Sequence, residues 1–304
     1  MKKSLLFCLV CLMCVFTSCQ KASSSSDSSL RDKLYAIADS VPGVVGIAFV
    51  SDGDTVTVNN GVAYPMMSVF KLHQSLAVGK VLELNGTGLD SILSISAGEL
   101  DRETWSPMLK KYIDKDFTVT VGELVRYSLV SSDNNASNLL FSHIVSPVET
   151  DGLVKSLAMD TTFHIRYSEA DMKQNHSLSY LNCTSPLAAA VLIKQVFNSD
   201  LVCRASQDSI KSALTVVTTG QNRLGAAVME GDGVLFGHKT GSGYRNDVGE
   251  LIAHNDVGYF RLPDGRDYSL AVFIRDFNGS EDEASAVIAE ISKCVYNDFV
   301  GHEN

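Results

Sequence analysis

Apolar residues recur at Leu30, Leu34, Ile37 and Val41, the three-and-four spacing of an amphipathic helix that opens the folded part of the chain. An apolar run from Val44 to Val50 and an alternating stretch from Thr55 to Val58 flank Ser51-Asp52-Gly53-Asp54, which predicts a β-hairpin. Near the other end, Gly233–Gly241, Val257–Leu262 and Tyr268–Ile274 predict three more strands, the last two joined through Pro263-Asp264-Gly265 and therefore antiparallel. From Glu281 to Phe299, the positions Val287, Ile288, Ile291, Val295 and Phe299 share one helical face, and acids fill the first turn, where the helix dipole favours them. Between these ends, from about Tyr64 to Leu224, helical patterns dominate: Phe70–Leu84, Val121–Val130, Asn135–Ile144 and Pro186–Phe197. The pattern predicts an α+β sandwich. Both chain ends complete a five-stranded antiparallel sheet, which is flanked by helices and interrupted by a large all-helical insertion. Grooves between such layers are common ligand sites.

The segment before Leu30 has a different character. Met1-Lys2-Lys3, an apolar run from Leu5 to Phe16, and Thr17-Ser18-Cys19 follow the charged, apolar, small-residue order of an export signal. A membrane-spanning helix needs about 20 apolar residues, so this run is too short. The small pair before Cys19 resembles a lipoprotein cleavage site, with Phe16 in place of the usual aliphatic residue. Lipidation of Cys19 would tether the protein to a membrane; ordinary cleavage is the other reading. Gln20-Lys21-Ala22 and the serines through Ser29 lack the apolar residues needed for packing and read as a flexible linker. The expected organisation is a signal over 1–19, a linker over 20–29 and one catalytic domain over 30–304.

Composition sharpens this picture in three respects. A chain of 304 residues with 45% hydrophobic content can bury a substantial core. Its formal charge of −10 becomes −12 when Lys2 and Lys3 leave with the signal, and no basic stripe appears, which argues against nucleic acid as a partner. Four of the seven cysteines lie in or beside the signal, leaving Cys183, Cys203 and Cys294. Three cysteines without a CxxC pair indicate neither a disulfide framework nor a zinc site, although one bridge stays open, and buried inert thiols are expected. No metal and no cofactor is expected.

Three short motifs carry the chemistry. In Ser68-Val69-Phe70-Lys71, serine and lysine lie three residues apart, on one face of a helix, so an ammonium can approach the hydroxyl. A serine hydroxyl is a weak nucleophile until a neighbour takes its proton. In Ser132-Asp133-Asn134, the hydroxyl can relay a proton to a departing amine, and the Asn134 amide can hold a substrate amide. In Lys239-Thr240-Gly241, a cation and a hydroxyl suit a carboxylate, and glycine lets a ligand approach the strand. Each motif alone has a plainer reading. Ser68 can be a helix cap, Ser132-Asp133 can cap the next helix, and Lys239 can be a solvated strand end.

Together and in this order, the three motifs resemble the penicillin-recognising serine enzymes, and in detail the class A β-lactamases of the Bacteroidetes type, an extended-spectrum, cephalosporinase-like group. The resemblance covers the chain from about Leu30. It implies hydrolysis of the β-lactam amide bond of penicillins and cephalosporins through a Ser68 acyl-enzyme, conferring antibiotic resistance. It also implies Lys71, Ser132 and Glu169 as further catalytic residues, Glu169 being the base for deacylation in Arg166-Tyr167-Ser168-Glu169-Ala170. Asn138 matches the asparagine that supports the Glu169 loop. Arg223 matches an arginine that binds the substrate carboxylate with Lys239 and Thr240. The backbone N–H groups of Ser68 and Ser242 match the oxyanion hole, the Ser242 hydroxyl adds a contact, and Trp105 matches an aromatic residue at the cleft rim, with a core position as its plainer alternative. Whether Lys71 or Glu169 takes the Ser68 proton stays open.

Departures from the family pattern gather in the Glu169 loop. Ala170 replaces the commoner proline, Asn182 an aspartate and Tyr167 its arginine partner, so the loop's ion pair is missing. Lys173 replaces an asparagine that often helps hold the hydrolytic water, and a cation there could lower the Glu169 pKa. A rearranged loop is therefore expected. The competing functions are a D-Ala-D-Ala carboxypeptidase or penicillin-binding protein, a serine-dependent glutaminase, and a lipoprotein that binds β-lactam without turning it over. The expected setting is the periplasm, with the protein exported and monomeric and a small β-lactam as its partner.

Overall fold

The computed structural model describes residues 29–112, 114–228 and 232–301. The export signal, Cys19 and the linker through residue 28 lie outside the described residues. Ser29, expected as the last linker residue, instead begins the fold. Its hydroxyl accepts a hydrogen bond from the Asp32 N–H while the Asp32 carboxylate accepts one from the Ser29 N–H, a reciprocal cap that satisfies two free helix donors.

That cap opens α1 (Leu30–Asp39), followed by β1 (Val44–Ser51) and β2 (Thr55–Val58). Next come β3 (Tyr64–Pro65), α2 (Phe70–Leu84), β4 (Ile92–Ile95), α3 (Leu109–Tyr112), β5 (Phe117–Thr120), α4 (Val121–Val130) and α5 (Asn134–His143). The helical region continues through α6 (Pro147–Lys155), β6 (Phe163–His164), α7 (Glu169–Gln174), β7 (Cys183–Thr184), α8 (Pro186–Asn198) and α9 (Arg204–Leu214). The chain closes with β8 (Leu235–Ser242), β9 (Leu251–Arg261), β10 (Asp267–Phe277) and α10 (Glu281–Gly301).

The main sheet has the order β2-β1-β10-β9-β8, with every neighbouring pair antiparallel. As the hydrophobic pattern predicts, both chain ends build it, and the first and last helices pack together on one face. Leu270, Val272 and Ile274 of β10 share that face with Leu34 of α1 and with Ile288, Ile291 and Val295 of α10. Ala271 and Phe273 point the other way, into the core formed with α2 and α8. A sheet covered on both sides reads as a nearly continuous apolar run, which is why β10 and β1 were legible. Each large side chain so buried contributes about 1.5–3 kcal/mol.

Helix α2 is surrounded. Eleven of its 15 residues are buried, Lys71, His73, Gln74 and Ser75 among them. A Cβ on Gly79 would lie 3.0 Å from the Ser206 Cβ, so the missing side chain lets α9 pack close. The amino-terminal end of α2 thereby sits at the junction of the sheet edge and the helical region.

Two elements depart from the sequence pattern for the same physical reason. Strand β9 begins at Leu251, six residues before the predicted start at Val257, because His254, Asn255 and Asp256 are polar yet buried. Each has a partner: His254 Nε2 lies 2.8 Å from Ser285 Oγ, Asn255 Nδ2 donates to the Pro65 carbonyl at 2.8 Å, and Asp256 Oδ1 lies 2.9 Å from His238 Nδ1. Helix α9 has few apolar residues, and its buried Gln207 accepts from the Leu201 and Val202 N–H groups at 3.3 Å. Paired polar groups can be buried at little net cost, and apolar periodicity does not register them.

The three cysteines of the body are free and half-buried rather than fully buried. Burial still pushes the Cys183 and Cys294 thiols up, away from the reactive thiolate. Among the described residues no helix is long and apolar enough to cross a membrane.

Candidate active site

Ser68 sits in a 3-10 turn, Met67–Val69, that runs directly into α2. Met67 holds a left-handed φ of 44°, and Ser132, in the turn between α4 and α5, holds one of 55°. Non-glycine residues in this region cost about 1–3 kcal/mol each and persist only where surrounding contacts enforce them. Here α2 and α5 supply that enforcement. Gln74 Nε2 donates to the Ser137 carbonyl and Ser137 Oγ donates back to Gln74 Oε1, both at 2.9 Å, which fixes the first motif against the second.

Lys71 has no solvent exposure. Its Nζ donates to the Ser132 carbonyl at 2.8 Å and to Asn134 Oδ1 at 2.6 Å, and lies 2.9 Å from Glu169 Oε1. Ser68 Oγ donates to that same Glu169 oxygen at 2.8 Å. Burial pushes the Lys71 ammonium below the ordinary lysine range, and the charge and hydrogen bond of Glu169 work against that shift. Lys239, equally buried, donates to Ser132 Oγ at 3.0 Å and to the Thr240 carbonyl at 2.9 Å. Burial lowers its pKa well below the usual value, and the nearby Lys71 charge adds to the effect.

Asp133, between the two active side chains of its motif, has an architectural task. Fully buried, it caps α5 through the Ala136 N–H and also accepts from Ser106 Oγ at 2.8 Å and the Met108 N–H at 2.7 Å. This fastens the rim segment that carries Thr104 and Trp105. Trp105 is 62% exposed, so the rim position holds and the core alternative does not; its Nε1 donates to the Ser131 carbonyl at 2.8 Å.

On the opposite wall, a Cβ on Gly241 would lie 2.4 Å from the Met66 carbonyl oxygen. Only glycine lets β8 come this close to the Ser68 turn, which brings the backbone of Ser68 and Ser242 to one cleft. Arg223 is buried, with its guanidinium donating to the Asn255 carbonyl at 2.8 Å and to Ser242 Oγ at 2.7 Å. Burial lowers its pKa, while the charge of Asp256 behind it acts in the opposite sense. Thr240 Oγ1 lies 2.6 Å from Thr219 Oγ1. Gly220, at φ 65°, has its α-carbon against the Thr240 methyl, where a Cβ would come within 2.5 Å.

The Glu169 segment is a loop tied at its neck, where Phe163 pairs with Thr184 and His164 with Cys183. In place of the missing ion pair stands a neutral clamp. Asn182, with no exposure, accepts from the Arg166 N–H at 2.8 Å and the Tyr167 N–H at 3.0 Å, and its Nδ2 donates to the Tyr167 carbonyl at 2.8 Å. Asn138 Oδ1 accepts from the Ala170 N–H at 3.2 Å. Glu169 thus stands in the first turn of α7, 5% exposed and aimed at Lys71. Lys173, singled out for its place one turn after Glu169, turns to another carboxylate. Its ammonium lies 2.6 Å from Asp101 Oδ2, and that contact holds the Asp101 carboxyl below the usual carboxylate range.

Ser68, Trp105, Ser132, Asn134, Glu169, Arg223, Thr240 and Ser242 line one cleft of about 570 Å³, and Lys71 and Lys239 reach Asn134 and Ser132 of its lining, while Asn138, Tyr167, Ala170 and Asn182 stand outside it, in the support of the Glu169 loop. Glu103, Thr104, Thr219, Tyr244 and Glu281 also line it and were not singled out. Thr104 adjoins Trp105 and Thr219 lies four residues before Arg223, and that nearness in sequence is the signal that could have found these two. A hollow of about 770 Å³ beside β4 and β5 is larger, but it contains none of the three motifs. Among the described residues no cluster of His, Cys, Asp and Glu is arranged to hold a metal ion.

The comparisons with known proteins agree with this chemistry. The model of the Beta-lactamase enzyme family matches residues 29–299. The chain is 42% identical over 307 residues to a beta-lactamase of Phocaeicola vulgatus, covering 97% of this chain and 96% of that protein. It is 30% identical to the extended-spectrum beta-lactamase PER-1 of Pseudomonas aeruginosa, covering 94% and 91% of the two chains. A solved class A beta-lactamase from Bacteroides cellulosilyticus matches with a TM-score of 0.84 at 29% identity, covering 90% of this chain and 97% of that one. The chain belongs to the β-lactamase enzyme family, as a class A serine β-lactamase. It is an enzyme that hydrolyses β-lactams, the reaction that confers resistance to them.

The Asn182 clamp yields a direct expectation. Replacing Asn182 with Ala leaves buried backbone groups unpaired and lowers stability by about 1–3 kcal/mol. Amide hydrogen exchange at Arg166 and Tyr167 speeds up in this variant, while that of the β10 amides keeps its native ranking; unchanged exchange at both loop amides contradicts the clamp.

Proposed function

We propose that Glu169 serves both half-reactions of β-lactam hydrolysis, and that the oxygen it shares with Ser68 and Lys71 is the reason. Ser68 Oγ donates to Glu169 Oε1 at 2.8 Å, whereas the three N–H bonds of Lys71 are directed to three other oxygens, that of Glu169 included. This favours the carboxylate over the lysine as acceptor of the Ser68 proton. Lys71 then acts as the buried positive charge that steadies Glu169 and orients Asn134.

In acylation, Ser68 Oγ attacks the lactam carbonyl carbon as its proton passes to Glu169. The backbone N–H groups of Ser68 and Ser242 receive the oxyanion, each such donor being worth roughly 10²–10³ in rate. As the carbon–nitrogen bond breaks, Ser132 gives its proton to the ring nitrogen and is supplied in turn by Lys239, which donates to its oxygen. The proton that Glu169 took from Ser68 then restores the Lys239 ammonium, so Glu169 is a carboxylate and Lys239 a cation again before deacylation. In deacylation, Glu169 takes a proton from water as the water oxygen attacks the ester carbon, and the proton returns to Ser68 Oγ when the ester bond breaks. Lys239, Thr240 and Arg223, with the Ser242 hydroxyl, bind the substrate carboxylate. The Asn134 amide binds the acyl side-chain amide, and Trp105 covers it from the rim.

We assign cephalosporins to the substrate range alongside penicillins, supported by the likeness to a relative described as extended-spectrum. Residues 1–19 direct export to the periplasm, Cys19 serves as a lipid tether with residues 20–28 as its linker, and the catalytic body works as a monomer.

Intact mass spectrometry of wild type and Glu169→Ala after mixing with a cephalosporin tests the reading. The expected result is turnover without lasting adduct in wild type, and in the variant a stoichiometric adduct formed at least a hundredfold more slowly. An adduct that persists on wild type points instead to a penicillin-binding protein or a sensor. The lowered Lys239 pKa gives a second test. As pH rises through it, the ammonium is lost and KM for a carboxylate-bearing β-lactam rises; Lys239→Arg, whose cation keeps its proton, flattens that alkaline limb. A KM that does not change with pH in wild type removes Lys239 from carboxylate binding.

A further inference from the structure

No step above uses the ion pair between Asp101 and Lys173, yet its position is unusual. Lys173 belongs to α7, one turn after Glu169 and on the same helical face, and its side chain lines the cleft. Asp101 opens the rim segment that leads to Thr104 and Trp105. Nζ and Oδ2 are 2.6 Å apart, and the two side chains are 32% and 34% exposed.

Asp101 is held from behind. Its N–H donates to Asn135 Oδ1 at 2.8 Å, its carbonyl accepts from Asn135 Nδ2 at 2.9 Å, and its second carboxylate oxygen accepts the Glu103 N–H at 2.8 Å. Asn135 is itself buried in α5, the helix that carries Asn134 and Asn138. One end of the pair is therefore built into the helical region, while the other rides on the loop that carries Glu169. Asp101 is bonded to Asn135, the neighbour of Asn134, so the bridge stands on the Asn134 side of the cleft, where the reading above puts the acyl side chain, and not with Lys239, Thr240 and Arg223, to which that reading gives the carboxylate.

We propose that the Asp101–Lys173 ion pair is a strap across the acyl side-chain end of the cleft, holding Glu169 in register and limiting how bulky an acyl substituent can enter. The proposal rests on the assignment of Glu169 and Asn134 made above. Both residues are positioning residues, since neither touches the reacting atoms. A pair exposed to this degree shifts an opening equilibrium by about fivefold at most and is loosened by salt. An effect of that size tunes specificity without determining whether the enzyme works.

The test compares kcat and KM for a penicillin with a compact phenylacetyl side chain and a cephalosporin with a branched oxyimino side chain. The proteins are wild type, Lys173→Gln, Asp101→Asn and the charge-swapped Asp101→Lys/Lys173→Asp. Each single variant is expected to lower kcat for the penicillin about two- to fivefold with little change in KM, and to raise the cephalosporin-to-penicillin ratio of kcat/KM by a similar factor. The swap should restore both. In 1 M salt the wild-type ratio should move toward that of Lys173→Gln, a measurement that decides the matter even if the swap does not fold. An unmoved ratio in both single variants and in salt overturns the strap, as does a natively folded swap that stays at the single-variant level. Loss of turnover by wild type itself would instead remove the reading on which the strap rests.

Discussion

Everything at this active site is arranged around a single buried contact, the ion pair between Lys71 and Glu169. Two charges removed from water are costly unless they meet each other and have their remaining hydrogen bonds filled. The two charges meet here, Ser132 and Asn134 complete the lysine, and Ser68 adds a hydrogen bond to the same carboxylate oxygen. The same cluster that makes the burial tolerable also brings together Ser68, Glu169 and the Asn134 amide, the groups proposed as nucleophile, base and substrate-binding amide. Stability and chemistry therefore depend on the same few atoms.

The fold exists, from this viewpoint, to bring three separate stretches of chain to that pair. Helix α2, buried on nearly all sides, carries Ser68 and Lys71 rigidly; its reciprocal amide-hydroxyl contact with Ser137 fixes the α5 turn; and Gly241 lets the β8 edge close the third side. Glu169 comes from the least regular element, a loop held by its neck strands, by Asn182 and by Asn138. Most groups of the site thus stand on rigid elements and one on a clamped loop.

Much of this was legible in the sequence because burial on both faces of the sheet and one face of the outer helices writes itself as hydrophobic periodicity. The β1–β2 hairpin, α2 and α4 follow from that pattern almost to the residue. The three motifs were legible for another reason: each combines residue types that rarely serve packing, at spacings that a helix turn or a strand end converts into proximity. What escaped was polar and buried. The first half of β9 is hidden by His254, Asn255 and Asp256, and α9 by Gln207, because their partners lie on distant elements that periodicity cannot see. The partner of Lys173 was missed in the same way. Its position beside Glu169 in sequence suggested an effect on that carboxylate, whereas Asp101, 72 residues earlier, holds its ammonium.

The absence of the loop's ion pair is likewise informative once the geometry is known. A neutral amide with both an acceptor and a donor can close a loop by binding backbone groups directly, without an arginine partner or the desolvation of a second charge. That leaves Lys71 and Glu169 as the charged contact on which the Glu169 loop and the α2 helix meet. The most direct test of this account is a thermodynamic cycle by urea denaturation on wild type, Lys71→Met, Glu169→Gln and the double variant. The account predicts that the two single losses exceed that of the double by about 1–3 kcal/mol, since each single change strands a buried charge. Additivity within about 0.5 kcal/mol would contradict it, showing that the two side chains are neighbours without being coupled.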